Sequence, residues 1–326
     1  MATISKAVVA VLILFEQYCV NFAEWNTRDY MKKEHSLVKP YVGTPWDFVG
    51  STMLTNNYIR LTSDHQSMKG GLWNQHPVLV RDWELHIQFK VHGKGTNLFG
   101  DGFAIWYTKE RLTMGDVFGS KNFFHGLAIF MDTYSNHNGP HNHLHPYISA
   151  MVDNGTMGYD HDADGTHTEL AGCEALFRNL AYDTYVAVRY SDDTLTVSTD
   201  INNKNKWKEC FKVKGVHLPT GYYLGFSAAT GDLADNHDII SAKFYELETE
   251  RKDDGVDYSK IEPSAQFFAS PRDHVDDAKG AFMLNSLSGW KLLVVIILII
   301  IGIGVCLMVG FIIFQKSQEN SRKRFY

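Results

Sequence analysis

Hydrophobic and polar residues alternate along much of the middle of the chain. Trp83, Leu85, Ile87, Phe89 and Val91 are separated by Glu84, His86, Gln88 and Lys90. Successive side chains of a strand point to opposite faces, so this period predicts a strand with one face in a core and the other toward water. Val186, Val188 and Tyr190, then Ser191-Asp192-Asp193, then Leu195 and Val197, predict a hairpin. Ile239–Leu247 alternates again. Phe103–Tyr107 and Leu127–Met131 are almost continuously apolar, the pattern of central strands covered on both faces. No long helical stripe occurs before Glu250. Many short strands separated by Gly, Asn and Asp predict an all-β fold, a two-sheet antiparallel sandwich.

Two apolar blocks follow neither period. Ala7–Phe15, behind Lys6, is nine residues long, too short for a hydrocarbon layer of about 30 Å, and predicts a signal peptide over residues 1–23. Leu292–Phe314 is an uncharged run of 23 residues, enough at about 1.5 Å per residue for a single transmembrane helix. With Trp290 and Lys291 the span covers residues 290–314. Lys316, Arg322, Lys323 and Arg324 follow it against a single Glu319, which predicts a cytosolic tail over 315–326 and a type I protein with a luminal domain. Between domain and span, residues 250–289 carry mixed charges, Pro263 and Pro271 and no sustained period, and read as a luminal stalk. The folded domain is expected over residues 34–249.

Composition sharpens this division. The 326 residues are 44% hydrophobic and 21% charged, with a net charge of -6; that excludes general disorder, and no collagen or heptad repeat is present. The acidic balance argues against nucleic-acid partners, which require a basic footprint. Of four cysteines, Cys19 falls in the leader and Cys306 in the span. Cys173 and Cys210 remain for an oxidising lumen; if a bond forms there it joins these two, and closing the loop is worth about 3–4 kcal/mol. Asn154-Gly155-Thr156 is the sole N-glycosylation acceptor and is expected to be used.

Candidate chemistry gathers in loops. Asp132-Thr133-Tyr134-Ser135-Asn136, directly after the Leu127–Met131 run, offers a carboxylate, a carbonyl and an amide oxygen at alternate positions. Ca²⁺ takes about six to eight such oxygens. Asp160-His161-Asp162-Ala163-Asp164-Gly165 imitates the start of an EF-hand loop, but position 12 is Ala171 instead of a bidentate Glu and the flanks are not helical. Its carboxylates are available to complete a site begun at Asp132. Gly100-Asp101-Gly102 and Gly231-Asp232-Leu233 each set an Asp on a glycine-loosened loop. A sandwich glycosidase needs two carboxyls about 5–10 Å apart; Glu84 and Glu169 stand alone, so no enzymatic activity is expected. A receptor that binds cargo through protein contacts only is a further alternative.

The set GDGFAIWYT (Gly100–Thr108), GLAIFMDTYSN (Gly126–Asn136), YDHDADG (Tyr159–Gly165), ELAGC (Glu169–Cys173), PTGYY (Pro219–Tyr223) and TGDLADNHDI (Thr230–Ile239) resembles the animal L-type, or leguminous-type, lectins, in particular their vesicular integral-membrane and VIP-like branch. The resemblance runs from leader to tail. It implies a concanavalin-like β-sandwich of jelly-roll type that binds high-mannose N-glycans on glycoproteins through Ca²⁺, for sorting, transport or quality control between ER and Golgi. Position by position it implies calcium ligands at Asp132, Asn136 and Asp164 and at the Tyr134 carbonyl. Carbohydrate contacts fall on Ser67, Asp101, Asn136, His161, Gly231, Asp232 and Leu233, and Cys173 and Cys210 match the luminal disulfide. In the tail, Phe325 and Tyr326 resemble an aromatic export signal read by vesicle coat components, and Arg322, Lys323 and Arg324 a basic ER-retention signal. His161, beside Asp162, adds an expectation of pH sensitivity, because a protonated imidazole opposes nearby Ca²⁺. One departure is the run of His137, His141, His143 and His145. It reads as an exposed, lineage-specific loop in preference to a soft-metal site.

Overall fold

The computed structural model describes residues 31–136, 144–249 and 255–266. Two seven-stranded antiparallel sheets face one another. In the front sheet Trp46–Gly50, Lys69–Asn74, Tyr223–Ala229, Gly102–Thr108, His125–Asp132, Tyr147–Asn154 and Ala171–Glu174 lie side by side. In the back sheet the order is Lys208–Lys214, Thr194–Asp200, Thr184–Ser191, Trp83–His92, Asn236–Glu246, Ile59–Thr62 and Met53–Leu54. The all-β antiparallel sandwich expected from the pattern is present.

The two apolar runs are central strands of the front sheet, adjacent and in register from Gly102 opposite Asp132 to Thr108 opposite Gly126. Their side chains divide by parity. Phe103, Ile105, Tyr107, Leu127, Ile129 and Met131 enter the core between the sheets. Ala104, Trp106, Ala128 and Phe130 point to the other face, where they join Trp73, Phe118, Phe124, Met151 and Tyr159 in a second buried cluster. Both faces are covered, which is why the runs lack polar residues. Trp83, Leu85, Ile87, Phe89 and Val91 fill the core from the back sheet. Glu84, on the face expected to meet water, is instead buried, because Arg189 on the neighbouring strand donates to it at 3.0 Å and His86 closes over it. The predicted hairpin turns at Asp192 and Asp193, both at positive φ, between the paired residues Ser191 and Thr194.

Cys173 and Cys210 are bonded, with Cα atoms 5.5 Å apart. They sit on the edge strands Ala171–Glu174 and Lys208–Lys214, so the bridge ties front sheet to back sheet along the sandwich's open side. Of the segment read as a stalk, residues 255–266 lie against the sandwich: Ser264–Ala265 pairs with Val216–His217, Thr220 N–H donates to the Tyr258 carbonyl at 3.0 Å, and Arg81 stacks 3.4 Å from the Tyr258 ring centre. The leader, the apolar run Leu292–Phe314 and the tail lie outside the described residues. Among the described residues no helix is long and apolar enough to cross a membrane.

Candidate functional site

Strand register assembles the site. At one end of the front sheet Lys69 faces Ala229, Ala229 faces Gly102, Gly102 faces Asp132 and Asp132 faces Tyr147. Segments far apart in sequence therefore end in a single row that includes Asp132, and the loops beyond it carry Ser67, Asp101, Tyr134, Asn136, Gly231, Asp232 and Leu233.

The acidic half is built around Asp132, which is buried at the end of its strand. Its Oδ1 accepts the Tyr134 N–H at 3.0 Å, which folds the chain back and brings the Tyr134 segment beside the carboxylate. Thr133 N–H donates to the Asp101 carbonyl at 3.0 Å, tying this loop to the neighbouring one. Asp164 arrives from the other side. It ends the short turn His161–Ala163 in the left-handed region at φ 49, and its Oδ1 accepts the Asn136 N–H at 2.9 Å. The turn is started by Asp160, whose side chain accepts the Asp162 N–H. It is closed by Gly165 at φ +68, where a Cβ would stand 2.3 Å from the Tyr159 ring, so glycine is required. Burial, with Asp164 and Asp101 adding to it, pushes the Asp132 carboxyl well above the usual carboxylate range, against the pull of the Tyr134 N–H. Two crowded carboxylates are hard oxygen donors of the kind that suits Ca²⁺, and a divalent charge there would offset the cost of burying Asp132.

The second half is a shallow arc of backbone and acid. Ser67, at φ 57, donates its N–H to the Gly231 carbonyl at 3.1 Å. Thr230 pins the two loops together, its hydroxyl donating to the His65 carbonyl at 2.7 Å and accepting the Met68 N–H at 2.9 Å. Gln66 Nε2 donates to the Asp232 carbonyl at 2.8 Å. The Asp101 carboxylate accepts the Gly231 N–H. A Cβ at Gly231 would stand 3.4 Å from that carboxylate, and one at Gly100 would stand 3.0 Å from Tyr134 and 3.7 Å from Leu233, so Tyr134 and Leu233 both crowd Gly100, the residue before Asp101. Burial raises the Asp101 carboxyl; His161 pulls it down, Asp232 pushes it up, and the Gly231 N–H pulls it down. His161 Nε2–H donates to the Asp116 carbonyl at 2.8 Å, and its ring rests on Tyr159 and Phe118.

Residues 28–254 match the legume-like lectin family. The chain belongs to that family. This legume-like lectin is 52% identical to the human vesicular integral-membrane protein VIP36 over 97% of its own length and 90% of the relative's. It is 46% identical to the human VIP36-like protein, over 92% of this chain and 87% of that one. A crystal structure of the VIP36 exoplasmic/lumenal domain in a Ca²⁺- and Man2-bound form superposes with a TM-score of 0.72 at 56% identity, covering 73% of this chain and 99% of the other.

Several residues of this legume-like lectin's site escape a reading of the sequence. Asp116 holds His161 through a carbonyl, and nothing in a residue's identity announces a backbone acceptor. Phe118 and Tyr159 belong to the second apolar cluster, so the buttress of His161 is an extension of hydrophobic packing. His145 departs from the expectation of an exposed loop. Its side chain is only 6% exposed, and its Nε2 lies 3.8 Å from Asp132 Oδ2. It directly precedes the strand Tyr147–Asn154, whose pairing with His125–Asp132 carries it inward. His137, His141 and His143 lie outside the described residues. Asn154, the expected glycosylation site, ends its strand in an exposed position.

Proposed function

We propose that this chain is a Ca²⁺-dependent mannose-binding lectin of the early secretory pathway, holding high-mannose N-glycans of glycoproteins on the luminal side of the membrane. The observation that carries it is the convergence of Asp132, Tyr134, Asn136 and Asp164 on one side of Asp101, with Ser67 and the Gly231–Leu233 loop on the other. A calcium ion would be held by the Asp132 and Asp164 carboxylates, the Tyr134 carbonyl and the Asn136 amide oxygen, and it would supply a fixed positive charge that locks Asn136. Holding that side chain in advance removes the entropy cost of ordering it on binding. Asp101 then offers a partly buried carboxylate to sugar hydroxyls, oriented by the Gly231 N–H. The Ser67 backbone, held by Gly231, shapes the facing wall, and His161, held by Asp116, the third. Leu233 beside Tyr134 provides an apolar surface for a sugar face.

Transport or quality control in membranes between ER and Golgi, a type I span at 290–314 and reading of the Arg322–Tyr326 tail by vesicle coats belong to the same proposal, supported by the sequence pattern and by the VIP36 relatives. The glycosidase alternative finds little support in the two glutamates: Glu84 is occupied by Arg189 and His86 in the back sheet, and Glu169 accepts the Tyr147 hydroxyl at 2.9 Å. Passage over immobilised high-mannose glycan tests the proposal. Retention with Ca²⁺, release by chelator and loss in Asp132→Asn are expected. Sugar release would point to an enzyme, and passage without retention to a receptor that uses protein contacts.

A further inference from the structure

His145 contributes a nitrogen donor close to the carboxylates read as calcium ligands. The donor atoms of Asp132, His145 and Asp164 all lie within 4.8 Å of one another. Donors to one ion at about 2.3–2.6 Å stand no more than about 5 Å apart, so the three are spaced as donors that share one cation are. The imidazole is nearly enclosed and its Nε2 is turned toward Asp132 Oδ2. Its backbone is anchored on the C-terminal side. Tyr147 opens the strand paired with Asp132, and the Pro146 carbonyl accepts the Ala175 N–H at 2.9 Å. The Tyr147 ring, 6.0 Å from the imidazole, is itself tied to Glu169. A donor placed this way is held before any ion arrives, as a metal ligand should be.

Oxygen donors alone suit Ca²⁺, which gains little from nitrogen. Imidazole suits first-row transition cations, whose affinity for mixed nitrogen and oxygen sites rises from Mn²⁺ to Cu²⁺. We propose that His145 converts the calcium site into one that also accepts a borderline divalent transition cation, ligated by Asp132, Asp164 and the His145 imidazole. The inference rests on the calcium reading of Asp132 and Asp164 and extends the range of cations that site takes. It makes the lectin's metal occupancy depend on which divalent ion is present in the compartment.

Metal titrations of the purified full-length chain with Ca²⁺, Mn²⁺ and Co²⁺, by calorimetry and by the visible absorption of bound Co²⁺, test this. The variants are His145→Leu and a chain in which His137, His141 and His143 are replaced by Asn. In the unaltered protein Co²⁺ and Mn²⁺ are expected to bind and to be displaced by excess Ca²⁺. Replacing a residue that only orients a metal ligand costs about 10–100-fold in affinity, and a direct ligand should cost no less, so His145→Leu should weaken Co²⁺ by at least about 10-fold. Ca²⁺ affinity should move by less than about 3-fold, and the triple variant should match the parent. Equal weakening of Ca²⁺ and Co²⁺ in His145→Leu would make the imidazole a positioning group for Asp132 and overturn the proposal. So would Co²⁺ binding that survives His145→Leu or that disappears in the triple variant. Ca²⁺ binding with no transition-metal binding overturns this inference alone; absence of binding by any cation overturns the calcium reading with it.

Discussion

Asp101 and His237 show how much one side chain's surroundings decide. Asp101 lies beside the proposed calcium residues without belonging to them, so its proposed contribution to sugar binding is separable from metal binding. Asp101→Asn should cost about 1.5–3 kcal/mol in mannose binding, the range for a hydrogen bond to a charged group, while Ca²⁺ affinity measured without sugar stays near that of the parent. His237 is completely buried, its Nδ1 2.7 Å from the Thr62 hydroxyl. Burial, reinforced by the positive charge of His92 and Arg178, lowers its pKa to about 3. Folded His237 therefore stays neutral while the unfolded imidazole takes up a proton near its ordinary value of about 6.5. Falling pH between those two values favours the unfolded chain by about 1.4 kcal/mol per unit; above the window the group has no effect, and below it the slope ends. Urea unfolding at a series of pH values should show a shallower acid loss in His237→Gln than in the parent.

Among the elements, the strands were the most legible part of the chain. Alternation announced Trp83–His92 and the hairpin, and the continuous runs announced the two central strands. Glu84 did not follow the pattern, because a period of two says which face a residue occupies and not whether a neighbour such as Arg189 covers that face. The disulfide acts at this scale as well. It joins edge strands of the two different sheets, and Cys173→Ser should lower unfolding free energy by about 3–4 kcal/mol in the chain-entropy model. Chemical denaturation under non-reducing conditions reads that loss, and Cys210→Ser should match it. The Asp160–Gly165 turn was recognisable as an acidic loop and correctly separated from an EF-hand. Its place beside the Asp132 loop is set by a tertiary contact, the Asn136 N–H donating to Asp164.

For the whole molecule, the domain does not stop at the change in composition near residue 250. Ser264–Ala265 is a strand of the folded unit, and Ala265 packs against the core between the sheets. A fragment ending at residue 249 should melt about 2–4 °C below one ending at 266, corresponding to about 1 kcal/mol for a domain of this size, as read by calorimetry.

The sequence by itself determined the sandwich, because the side-chain period of a strand is written directly in the order of polar and apolar residues. It also identified the oxygen-rich loops, through the kinds of residue they hold, and motif likeness supplied their expected roles. Only the tertiary structure decided that these loops meet. The register that aligns Lys69, Ala229, Gly102, Asp132 and Tyr147 is a property of paired strands up to 160 residues apart along the chain. The same register turned His145 from a member of a polar run into a neighbour of Asp132 with an enclosed side chain. Burial depends on what packs above a residue, and no local pattern carries that information.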